Sequence, residues 1–249
     1  MEGKKKIYVV GLGPGGALNM THRAYEVLEA SDVIVGYTVY IELIREVFSH
    51  KTLLATGMKQ EVERCKVARE EALSGKIVAM VCSGDPGVYG MAGIMYEVTT
   101  SYSEIDIEVV PGVTAACSGA AILGAPLIHD FVVMSLSDLL TPWEIIEKRI
   151  RLAAQADFVI CFYNPSSKKR QDYLEKACNL IMAHRSPDTV SGYVKHIGRE
   201  GEQYEILSLK ALAKTQVDMF TTVIVGNSET QQINGKMVTP RGYAKRYEF

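Results

Sequence analysis

The sequence predicts an α/β protein of two domains. Three observations predict it: short apolar runs alternate with amphipathic ones, glycine-bearing loops follow the apolar runs, and the regularity breaks once near the middle of the chain. A length of 249 residues suits two domains of roughly 100–150 residues each.

In the first half, residues 7–10, 32–35, 76–81 and 106–110 read as strands, and residues 21–29, 39–48 and 61–73 read as helices between them. Strands separated by helices call for a mostly parallel sheet, because each helix returns the chain to start the next strand in the same direction. Gly36, Gly75, Gly84 and Gly112 stand where the chain must reverse. Around Gly124-Ala125-Pro126 the pattern breaks, and a second series follows: strands at 131–135, 158–163, 189–195 and 220–225, helices at 142–154 and 169–183. The break reads as an interdomain linker near residues 124–130, with domains at 1–125 and 126–249; a loop within one continuous domain is the alternative. Thr141, Pro142 and Glu144 have the spacing of a capped helix start with proline at its first position. Trp143, the only tryptophan, either lines a ligand cleft or staples this helix to its domain.

Composition narrows the function. Hydrophobic residues make up 47% and charged residues 22%, ordinary for a globular chain. A balance of 27 basic against 29 acidic residues argues against a partner built on a nucleic-acid backbone, so any anionic ligand has to be met by a local basic patch. Cys65, Cys82, Cys117, Cys161 and Cys178 lack CxxC spacing and His22, His50, His129, His184 and His196 are scattered, so no metal site is expected. The apolar run after Lys6 is too short for a signal peptide or a membrane span, and a cytoplasmic protein is expected.

The run Gly11-Leu12-Gly13-Pro14-Gly15-Gly16 satisfies GxGxxG after a strand but fits a dinucleotide site poorly. Such a site opens a helix at once, whereas Pro14 and the glycines prolong the loop to about Thr21, where a helix cap is possible. The acid expected to hold a ribose is also misplaced: Asp32 precedes its strand rather than ending it. A second loop, Cys82-Ser83-Gly84-Asp85-Pro86-Gly87-Val88-Tyr89, and a third, Pro111-Gly112-Val113-Thr114-Ala115-Ala116, also follow strands. Together the loops predict a pocket at the carboxyl edge of a sheet.

These loops resemble those of the tetrapyrrole methylase family: Gly-Leu-Gly-Pro-Gly at 11–15 with Leu18 and Thr21, Ser-Gly-Asp-Pro at 83–86, and Pro-Gly-Val-Thr-Ala at 111–115. Residues 135–143, 162–170 and 237–243 resemble the branch that methylates C17 of precorrin-3B or cobalt-factor III and contracts the ring. The resemblance spans essentially the whole chain. It implies two α/β domains with a cofactor cleft between them, S-adenosyl-L-methionine as cofactor, a homodimer, and a place in cobalamin biosynthesis. By motif, Pro14, Ser83, Gly84, Asp85, Val88, Thr114, Ala115, Phe162 and Tyr163 would meet the cofactor.

Methyl transfer needs in-line alignment and no covalent protein intermediate, so no serine or cysteine nucleophile is sought. Ring contraction also needs protons moved and oxygen charge stabilised, which makes Asp85, His129, Tyr163 and Asn164 the catalytic candidates, with Asp138 beside them. Asp85 equally suits loop organisation, and His129 a linker cap. The implied substrate is an anionic tetrapyrrole bearing acetate and propionate groups, for which Gly13, Asp138, Lys168, Lys169, Arg170 and Arg241 are the candidate contacts, with Lys195 and Arg199 as further cations. Another precorrin C-methyltransferase, or a non-catalytic module that holds corrinoid or cofactor, is the alternative reading. The sequence leaves open whether the substrate carries cobalt.

Overall fold

A computed structural model describes residues 5–167 and 169–248, which fall into two compact units, Met1–Ala115 and Ala116–Phe249. In the first, the elements run β1 (Lys5–Gly11), α1 (His22–Ala30), β2 (Val33–Tyr37), α2 (Thr38–Ile44), β3 (Thr52–Thr56), α3 (Glu61–Leu73), β4 (Val78–Cys82), α4 (Ala92–Thr99) and β5 (Ile105–Val110). The sheet order is β3-β2-β4-β1-β5 and every pairing is parallel, as the strand–helix alternation requires.

Side chains alternate between two cores. Ile7, Val9, Val33, Val35, Val78 and Met80 pack with Cys65, Ala68 and Met95 on one face. Val10, Ile34, Ala79 and Val81 pack with Leu28, Ile41 and Phe48 on the other. Burial on both faces explains why β4 reads as an unbroken apolar run. Thr21 caps α1, its hydroxyl accepting from Ala24 N at 3.1 Å, and the glycine loop does run on to that point. Asp32 lies at the amino edge of the sheet, where its carboxylate accepts from Ile77 N at 2.8 Å. The edge strand β3 and helix α4 are additions to the elements read from sequence.

The second unit begins in α5 (Ala115–Leu123) and continues β6 (Gly124–Ala125), β7 (Phe131–Ser135), α6 (Trp143–Gln155), β8 (Val159–Tyr163), α7 (Tyr173–Met182), β9 (Val190–Lys195), β10 (Gln203–Ser208), α8 (Leu209–Leu212), β11 (Thr221–Val225), β12 (Gln231–Ile233) and β13 (Lys236–Val238). Its main sheet, β10-β9-β11-β8-β7, has one parallel pairing, β7 with β8; the others are antiparallel. A short turn joins β9 to β10 with no helix to carry the chain back, and that enforces the antiparallel pairing.

Gly124-Ala125, where a linker is expected, instead forms strand β6 against β13. Gly124 has φ 141, and a Cβ there would lie 2.6 Å from Met237 O, so the close approach of the two strands requires glycine. The expected start of α6 also shifts by one residue. Pro142 is the cap, with extended ψ 144, and its carbonyl accepts from Ile145 N and Ile146 N. Trp143, first in the helix, lies half-buried on the core with its ring 4.4 Å from that of Tyr173, which is the stapling role. Arg185 closes the far end of α6: its buried guanidinium donates to the carbonyls of Ala153 (3.1 Å), Phe158 (2.5 Å) and Gly226 (2.6 Å).

Candidate active site

In the first unit the loops after β1, β4 and β5 meet at the carboxyl edge of the sheet. Gly13 and Gly84 form an isolated antiparallel bridge, Gly13 N donating to Gly84 O at 3.1 Å and Gly84 N to Gly13 O at 2.7 Å. Glycine permits this approach. A Cβ on Gly112 would lie 2.2 Å from Gly84 O, one on Gly11 would lie 2.5 Å from it, and Gly84 itself has φ +65. Asp85 clasps the assembly, Oδ1 accepting from Gly87 N at 2.8 Å and Oδ2 from Gly112 N at 3.1 Å. Loop organisation, one of its two readings from sequence, is therefore what its hydrogen bonds perform. Val88 N donates to Asp85 O at 3.3 Å, and Pro14, Ser83, Val88, Thr114 and Ala115 are half-buried around the same loops, while Gly13 is buried.

In the second unit, β7, β8 and β9 run in one direction and β11 in the other. Their register brings Ser135, Tyr163 and Lys195, with Thr221 from the start of β11, to one edge. Tyr163 Oη accepts from Ala116 N at 2.7 Å, satisfying an amide in the first turn of α5 that the helix cannot. Asn164 is held at φ 51, and its Nδ2 donates to Ser135 Oγ at 3.1 Å. Phe162 is fully buried in the core, so its side chain faces away from any ligand and only its peptide group could meet one.

Two residues read as substrate contacts are paired with each other. Arg170 Nη1 donates to Asp138 Oδ1 at 3.3 Å and to Ser137 Oγ at 2.5 Å. Tyr173 Oη donates to Asp138 Oδ2 at 2.6 Å. The Tyr173 hydroxyl first, with Arg170 adding to it, holds the Asp138 carboxyl below the usual range, and the same bond raises the Tyr173 hydroxyl. Lys169 and Arg241 are exposed, as is His129, and Lys168 lies outside the described residues. Ser135 and Tyr173, which orient Asn164 and Asp138, were missed: sequence spacing shows no link between positions 29 or 35 residues apart.

Burial pushes the thiols of Cys82, at the end of β4, and Cys161, in the middle of β8, up to about 12, so neither offers a thiolate near neutral pH. Among the described residues no cluster of His, Cys, Asp and Glu could hold a metal ion, and no helix is long and apolar enough to cross a membrane.

Residues 6–213 match the family Tetrapyrrole (Corrin/Porphyrin) Methylases. The chain belongs to the tetrapyrrole methylase family. Its curated relatives include the cobalt-factor III methyltransferase of Priestia megaterium, 46% identical over 98% of this chain, although the chain spans only 46% of that longer protein. A probable cobalt-factor III C(17)-methyltransferase of Salmonella typhimurium is 46% identical over 94% of this chain and 98% of its own length. The precorrin-3B C(17)-methyltransferase of a Sinorhizobium species is 37% identical over 96% of this chain and 97% of its own. Among solved structures, that of the methyltransferase CobJ superposes with a TM-score of 0.86 at 34% identity, over 94% of this chain and 99% of that one. The parallel and mixed sheets described above are thus the two sheets of a tetrapyrrole methylase.

Proposed function

We propose that this tetrapyrrole methylase transfers a methyl group from S-adenosyl-L-methionine to C17 of precorrin-3B or cobalt-factor III, with contraction of the macrocycle, in cobalamin biosynthesis. The observation that carries the reading is near-full-length similarity, on both sides, to relatives named for that reaction. The Priestia relative is about twice as long, so the activity proposed is that of the portion both chains share.

The residues present fit the cofactor. The carboxyl edge of the first sheet is lined by peptide groups and small side chains at 83–88 and 113–115, held by the hydrogen bonds of Asp85, and this suits a zwitterionic ligand with a polar nucleoside. When bound, S-adenosyl-L-methionine supplies an electrophilic methyl group. Gly84, Ser83, Val88 and Thr114 would hold it, Asp85 acting through the loops it clasps, and Pro14 would bound the site. The chain's contribution is alignment of the two reactants, which needs rigid loops rather than a nucleophile. Tyr163 and Asn164 would move a proton or meet a developing oxygen charge, while the exposed Lys169 and Arg241 would receive acidic side chains of the macrocycle. Asp138 and Arg170 would act as one neutralised pair that shapes the loop bearing Lys169. A cytosolic homodimer belongs to the same reading.

The test is an anaerobic incubation with S-adenosyl-L-methionine and, separately, metal-free and cobalt-loaded substrate, the products followed by mass spectrometry and carbon NMR. A product with one added methyl at C17 and a contracted ring is expected from at least one substrate. Methylation at another carbon would assign the chain to a neighbouring reaction of the pathway. Binding without any methyl transfer would make it a carrier module.

A further inference from the structure

The carboxyl edge of the first sheet has a second half that the glycine loops do not use. In the order β3-β2-β4-β1-β5, β2 and β3, the two strands on the far side of β4 from β1, end in Tyr37 and Thr56, and a turn through Gly57, Met58, Lys59 and Gln60 leads into α3. Arg64 lies beneath this turn with 4% of its surface exposed. Its Nε donates to Thr56 Oγ1 at 2.8 Å and its Nη2 to Gly57 O at 3.0 Å, while Nη1 donates to Met91 Sδ at 3.7 Å. The guanidinium stands 5.7 Å from the Tyr37 ring centre, and Tyr37 meets Tyr40 edge-on at 5.2 Å.

Each of those partners is neutral. Buried charges are ordinarily paired, yet among the described residues no carboxylate lies within 4.0 Å of Arg64. The turn above is fixed from both ends. Gly57 N donates to Gln60 Oε1 at 2.8 Å, and Arg64 N to Gln60 O at 2.8 Å. It forces Lys59 into the left-handed region, φ 63, a conformation that is strained for a residue with a Cβ. Lys59 is exposed and also has no carboxylate within 4.0 Å among the described residues. Two cations without a counter-charge thus share one edge of the sheet, one presented to solvent by a strained turn and one buried beneath it.

We propose that the turn at 56–60 is a carboxylate-recognition shelf, with Lys59 as the contacting cation and Arg64 as the positioning residue that fixes the turn and sets its positive field. The inference rests on the reading that this chain binds an acidic macrocycle together with S-adenosyl-L-methionine. Either ligand bears the chemistry required: the macrocycle on its peripheral acid side chains, the cofactor on its methionyl carboxylate.

The experiment separates the two sources. An octacarboxylate porphyrin serves as a fluorescent probe of the macrocycle, S-adenosylhomocysteine as a probe carrying the methionyl carboxylate, and methylthioadenosine as its counterpart without one. Lys59→Ala, at an exposed position, is expected to weaken the first or the second about fivefold and to leave methylthioadenosine binding unchanged. Lys59→Glu should weaken it further, with the difference shrinking at high salt. Arg64→Lys keeps the charge and loses the fork, and should reproduce the loss of affinity without changing the number of sites. Porphyrin affinity falling alone assigns the shelf to the macrocycle; S-adenosylhomocysteine affinity falling alone assigns it to the cofactor. Parent-like binding of both by Lys59→Ala and Lys59→Glu overturns the shelf, however Arg64→Lys behaves. A parent protein that binds no porphyrin, in contrast, would refute the substrate reading itself.

Discussion

Gly112→Ala tests the architecture of the cofactor edge most directly. The added Cβ would lie 2.2 Å from Gly84 O and 2.8 Å from both Gly11 C and Gly11 O, all of them backbone atoms that cannot rotate away. Restoring an ordinary contact requires the loops after β1, β4 and β5 to part by about 1 Å. Overpacking of that kind costs about 1–3 kcal/mol. The Gly84 carbonyl that must retreat also accepts from Gly13 N at 3.1 Å, and losing that bond adds about 1 kcal/mol. The two effects together predict a loss of about 2–4 kcal/mol and a fall in Tm of roughly 5–15 °C. A shift of about 1 Å in a positioning loop should also weaken S-adenosylhomocysteine binding about tenfold to a hundredfold, read by calorimetry on the folded variant. Gly93→Ala is the control. Gly93 is in α4 with nothing within 4 Å of a new Cβ, so alanine there should stabilise by about 0.5–1 kcal/mol and leave affinity unchanged. If Gly112→Ala matches the parent in both Tm and affinity, the three loops do not form a close-packed assembly.

Arg185→Met should cost about 3 kcal/mol or more in urea unfolding, because the carbonyls of Ala153, Phe158 and Gly226 lose their donor in a buried site; a cost below about 1 kcal/mol would mean that water replaces the guanidinium. Tyr163→Phe strands the Ala116 amide at the start of α5, which predicts about 1–2 kcal/mol of lost stability and faster hydrogen exchange at that amide; unchanged exchange would remove Tyr163 as the cap. Asp138 has a depressed pKa in the folded state, so its contribution is complete above the ordinary carboxylate range of about 4 and is lost as pH falls through the lower folded value. The stability gap between parent and Asp138→Asn should accordingly be constant from neutral pH down to about 4 and close below it, whereas a gap that persists in acid would show that Tyr173 and Arg170 do not depend on the charge.

The first unit was largely legible because its information is local. Strands such as β4 are buried on both faces and so are apolar throughout, Thr21 has a capping hydroxyl, and a glycine lies at the end of β1 and two residues after the ends of β4 and β5, whose loops converge. The edge strand β3 escaped notice for the complementary reason: its five residues are only partly buried, and without a buried face the pattern carries little signal. The second unit was harder, since the same strand periodicity serves parallel and antiparallel pairing alike, and the insertion of β11 between β9 and β8 is a choice among partners far apart in sequence.

The sequence by itself determined the α/β class, the three glycine loops and the likeness to tetrapyrrole methylases, because backbone conformation and strand burial are written in neighbouring residues. Only the tertiary structure decided what the polar groups do. It turned Asp85 toward Gly87 N and Gly112 N, paired Asp138 with Tyr173 and Arg170, and buried Arg64 beneath the 56–60 turn with neutral partners. Hydrogen bonds and charges act over a few ångströms in space, and residues 27 to 35 positions apart become neighbours only when the chain has folded.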